Sequence, residues 1–204
     1  MHTPKPHDLL WGMPISALPS DAPQWARAVL ASGQPVVVRR ATCAPGRVAV
    51  GVRGPAREQR LACDMALSCV TRQVSPSGLR CTLSEGLPAL RALAYVDALL
   101  AATGLAWGPT GGVGYQLATG VAVLHPESDL DLLLHVPEPL DRTRAQALLD
   151  QLADAPCRVD VQLETPTGAI ALREWASGAP RVLLKTARGP RLVGHPWLAE
   201  AYAA

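Results

Sequence analysis

The length and composition of this chain predict an ordered globular protein. Its 204 residues can bury a substantial core, and 49% of them are apolar while 18% are charged. No apolar run reaches the roughly 18 residues of a membrane-spanning helix, and residues 1–12 lack the apolar core of a signal peptide. The five cysteines form no CxxC pair, so we expect reduced thiols. We therefore expect a cytoplasmic protein that does not enter a membrane.

The net charge of +2 conceals an asymmetry between the two halves of the chain. Residues 1–83 carry ten Arg and Lys against four Asp and Glu, whereas residues 84–204 carry nine against thirteen. A basic front half and an acidic back half are compatible with two domains that face each other across a cleft holding a phosphate-rich ligand. Two ordinary surfaces with a modest charge imbalance would give the same counts.

In chain order, the N-terminal half predicts a small α+β unit. Residues 9–11 form a short strand or an anchoring arm, and Pro23 and Gly33 bracket a predicted helix at residues 21–32. The β-branched residues of 35–40 and the alternation in 47–52 predict two strands. A helix is expected within 56–67, and a turn followed by a strand within 71–81.

The C-terminal half is predicted to alternate helices with strands. Its first helix should start near Ser84, with Pro88 in the first turn, and end at Gly104. Further helices are predicted at 141–153 and 167–175, strands at 157–163 and 181–186, and an irregular tail at 189–204 that ends in a short helical piece.

Residues 107–134 carry the pattern with the clearest chemical meaning. Asp129 and Asp131 are one residue apart in an apolar run, and the side-chain period of a strand is two. Both carboxylates should therefore leave one face, while the leucines between and after them enter a core. Two acids on one face of an apolar strand repel each other unless a cation lies between them, and a divalent metal is the obvious candidate.

Neighbouring residues strengthen the metal interpretation. Gly111-Gly112 form a turn whose backbone N–H groups suit phosphate if a helix follows. Asp160, between two valines of the next predicted strand, can supply a third carboxylate. Two Mg²⁺ ions about 4 Å apart could then activate a hydroxyl and stabilise a leaving diphosphate. By itself, an Asp-x-Asp pair is more commonly the solvent-facing side of a strand.

Arginines of the basic half are candidates for phosphate binding, because guanidinium groups match phosphate oxygens in a bidentate manner. Arg53, Arg57 and Arg60 rank first, since they lie where a strand gives way to a glycine turn. Most of these arginines could equally be solvated surface groups. No aromatic residues alternate with them, so a nucleic-acid surface is not favoured. The full set is Arg39, Arg40, Arg47, Arg53, Arg57 and Arg60.

The glycine turn and the three aspartates resemble the nucleotidyltransferase superfamily typified by DNA polymerase β. Its motif is Gly followed by Gly or Ser, a spacer, Asp-x-Asp in a strand and a later lone acid. The resemblance implies an α+β fold. A small N-terminal α+β domain (1–83) would precede a polymerase-β-like nucleotidyltransferase domain (84–204) with a mixed sheet and flanking helices.

A closer resemblance covers essentially the whole chain. The blocks PHDLLW, GVRG, GPTGGVGYQLATG, SDLDLLL and VDVQL look like the phosphoribosyl-dephospho-CoA transferase family of malonate decarboxylase. The resemblance implies a donor, 2′-(5″-triphosphoribosyl)-3′-dephospho-CoA, bound partly by the basic first domain. It also implies an acceptor serine on the apo acyl carrier protein subunit of malonate decarboxylase, with diphosphate as the leaving group.

The resemblance and the local sequence patterns together give expected roles for individual residues. Asp129, Asp131 and Asp160 would be the metal ligands and catalytic carboxylates, with Asp160 also able to take the serine proton. Thr110, Gly111 and Gly112 would hold the β- and γ-phosphates. Arg53, Arg57 and Arg60 would bind the donor, and Lys185 could reach a phosphate, although a lysine at a strand end is more often simply solvated.

Two other functions fit the same residues. One is a nucleotidyltransferase that uses an ordinary nucleoside triphosphate on a small molecule, which turnover with ATP alone would reveal. The other is a carrier-protein or nucleotide-binding module that keeps the fold without catalysis. The presence of all three expected carboxylates argues against that module.

Overall fold

The N-terminal half is built around a five-stranded antiparallel sheet. The computed structural model describes residues 2–56, 58–80 and 86–198. The sheet order is β4-β3-β2-β1-β5. Its elements are β1 (Leu9–Trp11), α1 (Gln24–Ala31), β2 (Val36–Val38), β3 (Arg47–Arg53), β4 (Arg60–Ala66) and β5 (Arg72–Val74), with short 3₁₀ turns after β1, β4 and β5.

One face of this sheet is a hydrophobic core and the other is open to the C-terminal half. Leu10, Val36, Val50 and Met65 are fully buried and pack with apolar residues of α1. Because successive side chains of a strand point to opposite faces, the residues between them line the second face. That second face forms one wall of a cavity between the two halves of the chain.

The C-terminal half contains a six-stranded mixed sheet with helices around it. Its elements are α2 (Pro88–Ala101), β6 (Trp107–Pro109), α3 (Gly111–Thr119), β7 (Leu130–His135), α4 (Arg142–Leu152), β8 (Val159–Thr165), β9 (Gly168–Ala171), α5 (Leu172–Ala176), β10 (Val182–Thr186) and β11 (Gly189–Val193). The sheet order is β11-β10-β9-β8-β7-β6, and only the β7–β8 pair among these described neighbours is parallel. The predicted α+β class, with a mixed sheet and flanking helices, is therefore confirmed.

Local signals in the sequence account for several of these elements. The Asp141 carboxylate caps α4 by accepting hydrogen bonds from the backbone N–H groups of Thr143 (2.8 Å) and Arg144 (3.2 Å). Pro88 occupies the first turn of α2, as predicted, while Ser84 lies outside the described residues. No helix among the described residues combines the length and apolar character needed to cross a membrane. The described cysteines at positions 43, 63, 69 and 157 are free.

Three predicted elements are wrong. The helix expected within 56–67 is instead strand β4, which pairs with β3 along its whole length from Arg53↔Arg60 to Arg47↔Ala66. Its alternating apolar residues match a strand period, and the hairpin satisfies its backbone groups. The helix expected at 167–175 begins only at Leu172, because 168–171 form β9. The tail is not irregular throughout, since 189–193 form edge strand β11; its last residues lie outside the described part.

Candidate metal and phosphate site

Three carboxylates converge at the start of the two parallel strands. Asp131 lies on β7, Asp129 immediately precedes that strand, and Asp160 is the register partner of Asp131 on β8. In-register residues of neighbouring parallel strands project to the same face, about 4.8 Å apart. One ligand oxygen from each of the three acids lies within 4.8 Å of the others. The arrangement is therefore compact enough to share a metal ion.

The electrostatics of this cluster favour a cation. Burial, followed by the nearby Asp129 and Asp160 carboxylates, raises the pKa of Asp131 above its ordinary value. The Arg158 guanidinium lies 2.8 Å from a carboxylate oxygen of Asp160 but is largely exposed. Carboxylate oxygens are the ligands that Mg²⁺ prefers. These three acids fit a divalent metal, which would relieve the repulsion that the nearby Arg53 and Arg158 offset only in part.

Gly111 is required by its contact with Asp131. Its φ of +55° is a left-handed conformation that favours glycine, and a Cβ there would lie 2.0 Å from Asp131 Oδ2. The backbone N–H of Thr110 donates to the Asp131 carbonyl at 2.8 Å. The first turn of α3 is thus held directly beside the acid cluster. The N–H groups of this first turn and the positive end of the helix dipole therefore lie next to the acid cluster.

Arg53 reaches this turn from the N-terminal half. Its Nη2 atom is 3.6 Å from the position that a Cβ on Gly112 would take, and its guanidinium lies 5.4 Å from the ring centre of Tyr115. Its Nε is buried and has no hydrogen-bond partner among the residues that the structure describes. Burial and the like charge of Arg60, its register partner, lower the pKa of Arg53. An anion at this position would offset the like charges of the two guanidinium groups.

The two halves enclose a cavity of about 840 Å³ between their sheets. Its volume falls within the range of roughly 300–1,000 Å³ that is usual for ligand sites. The halves are joined beside it by the ion pair of Arg40 with Glu164 and by close packing of Gly108 on the carbonyl of Pro76. The predicted site residues that line the cavity are Arg53, Arg60, Thr110, Gly111, Asp131, Asp160 and Lys185.

The remaining predicted residues lie at different distances from the cavity, some beside it and some away from it. Asp129 belongs to the acid cluster and Gly112 to the adjoining turn, although neither lines the cavity itself. Arg57 lies outside the described residues. Arg47 is exposed, is paired with Asp64 and does not line the cavity.

A polar chain that the sequence did not reveal crosses the cavity. Lys185 Nζ donates to Gln162 Oε1 at 3.3 Å, and Gln162 Nε2 lies 2.9 Å from His7 Nε2. Since lysine can only donate, the amide nitrogen of Gln162 must donate to His7, which leaves His7 neutral with its proton on Nδ1. Burial and the nearby charges of Arg40 and Lys185 lower the pKa of His7 to about 4, in agreement with that state.

Other residues missed in the sequence are Arg158 and Arg173, which also line the cavity. Arg158 precedes Asp160 by two positions, so the strand period could have placed the two side chains together. No sequence pattern around Arg173 indicates that this residue lines the cavity. Likewise, the left-handed backbone of His7, with φ of +75°, becomes evident only in the fold.

An acid cluster beside a helix N-terminus and opposing arginines is an arrangement suited to enzymes that act on phosphate groups. Two family models match the chain. They are the phosphoribosyl-dephospho-CoA transferase MdcG N-terminal domain at residues 5–76 and the C-terminal domain of the same family at residues 78–196. The chain belongs to this family and is therefore a transferase.

Curated relatives carry the name phosphoribosyl-dephospho-CoA transferase. The chain is 64% identical to the protein of Pseudomonas putida strain GB-1 over 204 residues, which cover 100% of both chains. It is 66% identical to another Pseudomonas putida protein over 97% of each chain. Identity to the protein of Azotobacter vinelandii strain DJ is 60%, over 95% of this chain and 94% of the relative. No solved structure matches the chain.

Proposed function

We propose that this protein transfers the phosphoribosyl-dephospho-CoA group to a serine of the apo acyl carrier protein subunit of malonate decarboxylase. The donor is 2′-(5″-triphosphoribosyl)-3′-dephospho-CoA, and diphosphate is released. The observation that carries the proposal is the cluster of Asp129, Asp131 and Asp160 beside Gly111, with Arg53 lining the same cavity from the N-terminal half, in a chain of this family. Metal-binding acids and phosphate-binding groups are thus presented to the same ligand.

The proposed donor and acceptor define the bond changes of the reaction. The serine hydroxyl oxygen attacks the phosphorus attached to the ribose 5″ oxygen, and the bond from that phosphorus to the β-phosphate oxygen breaks. The diphosphate leaves with the bonding electrons, a phosphodiester remains on the carrier, and Asp160 accepts the serine proton. Asp160 is suited to this step because its carboxylate is about one-third exposed beside the cavity.

The protein holds the triphosphate through three groups. The first turn of α3, at Gly111 and Gly112, offers backbone N–H groups to the β- and γ-phosphates. Arg53 and Arg60 add positive charge from the opposite wall. Asp129, Asp131 and Asp160 would hold Mg²⁺, two ions in this proposal, which would supply charge neutralisation at the attacked phosphate and the departing diphosphate.

The direct test is the intact mass of the apo carrier after incubation with enzyme, donor and Mg²⁺. The mass should increase by one phosphoribosyl-dephospho-CoA group, with one diphosphate released per carrier. Replacement of the carrier serine by alanine should abolish the gain. Diphosphate release with ATP and no turnover of the triphosphoribosyl donor would refute the proposed donor.

Chelation provides the test of the metal. Removal of divalent ions should stop the transfer, and added Mg²⁺ should restore it. Full activity after exhaustive chelation would refute the role assigned to the three carboxylates.

A further inference from the structure

The turn that leads into β1 has a strained backbone. His7 has φ of +75° and is the non-glycine residue with a positive φ among the residues that the structure describes. This conformation is uncommon for a residue with a Cβ, and it persists only where the surrounding contacts fix it. Such outliers concentrate at functional sites, so the contacts of His7 indicate what the turn does.

Buried hydrogen bonds hold this turn in place. The His7 N–H donates to the Val38 carbonyl at 2.9 Å. The Asp8 carboxylate, in a residue only 3% exposed, accepts from the Lys5 N–H at 2.8 Å and from Gln73 Nε2 at 2.7 Å. Asp8 thus closes the turn and ties it to β5. The turn in this way fixes the position of the His7 imidazole, which lines the cavity.

The imidazole of His7 determines how the amide of Gln162 is oriented. Gln162 Oε1 accepts from Lys185 Nζ at 3.3 Å, and Gln162 Nε2 donates to His7 Nε2 at 2.9 Å. The reversed amide would point N–H donors at the ammonium, which can only donate. The neutral His7 therefore favours the orientation that holds the ammonium of Lys185, whose side chain is exposed.

The held ammonium lies on the side of the acid cluster away from the α3 turn. In the sheet order, β8 and β10 are on one side of β7, whereas β6, which leads into α3, is on the other. Gln162 is two positions beyond Asp160 on the same face of β8, a step of about 7 Å. Lys185 is therefore beside the candidate metal site but apart from the turn assigned to the triphosphate.

We propose that His7 and Gln162 are positioning residues that hold Lys185 for a second anionic group of the substrate, apart from the triphosphate. This inference rests on the proposed function, in which that group is the 5′-diphosphate of the dephospho-CoA part of the donor. An ammonium held by a neutral amide keeps its charge and its other N–H groups for the ligand. The strained turn at the start of the PHDLLW block thereby acquires a function.

The test is calorimetric titration of 3′-dephospho-CoA, and separately of tripolyphosphate with Mg²⁺, into the full-length protein and its variants. Lys185→Met should weaken 3′-dephospho-CoA binding about tenfold or more, because it removes a charge-assisted hydrogen bond. Gln162→Met keeps the side-chain length without the amide and should weaken it about threefold to tenfold. Tripolyphosphate binding should be retained in both variants. Unchanged 3′-dephospho-CoA binding in either variant, or a parallel loss of tripolyphosphate binding, would overturn the assignment.

The double variant separates positioning from a general structural effect. If Gln162 acts through Lys185, then adding Gln162→Met to Lys185→Met should cause no further loss of 3′-dephospho-CoA binding. An equal loss in both backgrounds would overturn the positioning role. The matched control is Gln146→Met, because Gln146 is exposed on α4, donates to Asp150 and does not line the cavity. It should leave the binding of both probes unchanged.

The part of His7 is tested through its tautomer. Long-range ¹H–¹⁵N spectra of the wild-type protein at neutral pH should show that His7 is protonated on Nδ1 and unprotonated on Nε2. The His7 signals are identified by their loss in His7→Asn. Asparagine tolerates the left-handed backbone but is too short to reach Gln162, so His7→Asn should weaken 3′-dephospho-CoA binding as Gln162→Met does. A protonated Nε2 in the wild type, or unchanged binding in His7→Asn, would overturn the role of His7.

The outcomes for this chain of residues and for the proposed function can be separated. Binding of 3′-dephospho-CoA that depends on Lys185 and Gln162, without any carrier modification, would retain the chain and refute the transfer reaction. Carrier modification by a Gln162→Met variant that binds 3′-dephospho-CoA as the wild type does would retain the reaction and refute the chain.

Discussion

Replacement of Gly111 by alanine should disable the site with only a modest loss of stability. A Cβ at this position would lie 2.0 Å from Asp131 Oδ2, whereas real Cβ atoms essentially never approach closer than 3.0 Å. The Asp131 carboxylate must therefore move by about 1 Å, and a displacement of that size can cost about 100-fold in rate. The left-handed backbone adds about 1–2 kcal/mol of strain, which lowers Tm by a few degrees.

Gly120→Ala is the matched control for this experiment. Gly120 ends the same helix with φ of +73°, but nothing lies within 4 Å of the position of its Cβ. It should therefore show the same backbone strain and a similar fall in Tm while keeping its rate of carrier modification. Rates should be measured by intact mass and stability by thermal unfolding. If Gly111→Ala and Gly120→Ala retained equal activity, the contact between Gly111 and Asp131 would have no catalytic consequence.

Three further changes test separate parts of the site. Asp129→Asn or Asp131→Asn should reduce carrier modification on the order of a thousandfold, because metal charge stabilisation contributes several kcal/mol; single-turnover mass analysis measures this. Arg53→Ala should raise the donor KM about tenfold to a hundredfold, since a hydrogen bond to a charged group contributes roughly 1.5–3 kcal/mol; steady-state diphosphate release measures it. His7→Asn should flatten the pH dependence of unfolding, since the pKa of His7 falls from 6.5 to about 4 on folding. Between these two values the unfolded chain binds more protons, so wild-type stability falls as the pH drops through this window, by about 3 kcal/mol at most.

The Arg53 and His7 variants each have a separate check. Arg47→Ala is the control for Arg53, because Arg47 is exposed and paired outside the cavity, and it should leave KM unchanged. An equal rise in KM for both variants would indicate a general charge effect. Asparagine tolerates the left-handed backbone at position 7, so His7→Asn is compatible with the fold. The difference in denaturation midpoint between wild type and His7→Asn should change between pH 4 and pH 7. The same difference at both pH values would contradict the burial of a neutral His7.

Local patterns in the sequence were sufficient for the parts of the fold with regular spacing. The period of two placed Asp131 and Asp160 on strands, and the helix predicted from residue 141 does begin there, with Asp141 as its cap. The same approach failed at β4. Its apolar residues have the spacing of a strand, but Arg57 and Arg60 lie three residues apart, which was interpreted as the spacing of a helix. The boundary at residue 83 stays a prediction, since residues 81–85 lie outside the described part.

The chemistry of the candidate site could be inferred from residue types and spacing, together with family resemblance. Carboxylates one residue apart in an apolar strand repel each other whatever the rest of the chain does, and a glycine pair ahead of them permits a tight turn. Those properties belong to short segments. The sequence by itself therefore determined an α+β protein with an acid cluster and a glycine turn ahead of it.

Only the tertiary structure decided which residues share the cavity. Arg53 meets Gly112 across the two halves, and Gln162 connects His7 with Lys185 over long sequence separations. Pairing register and the contact between the two halves depend on long-range packing, which no local period encodes. They bring Arg53 and Arg60 from one half, and Asp131 and Asp160 from the other, to the same cavity.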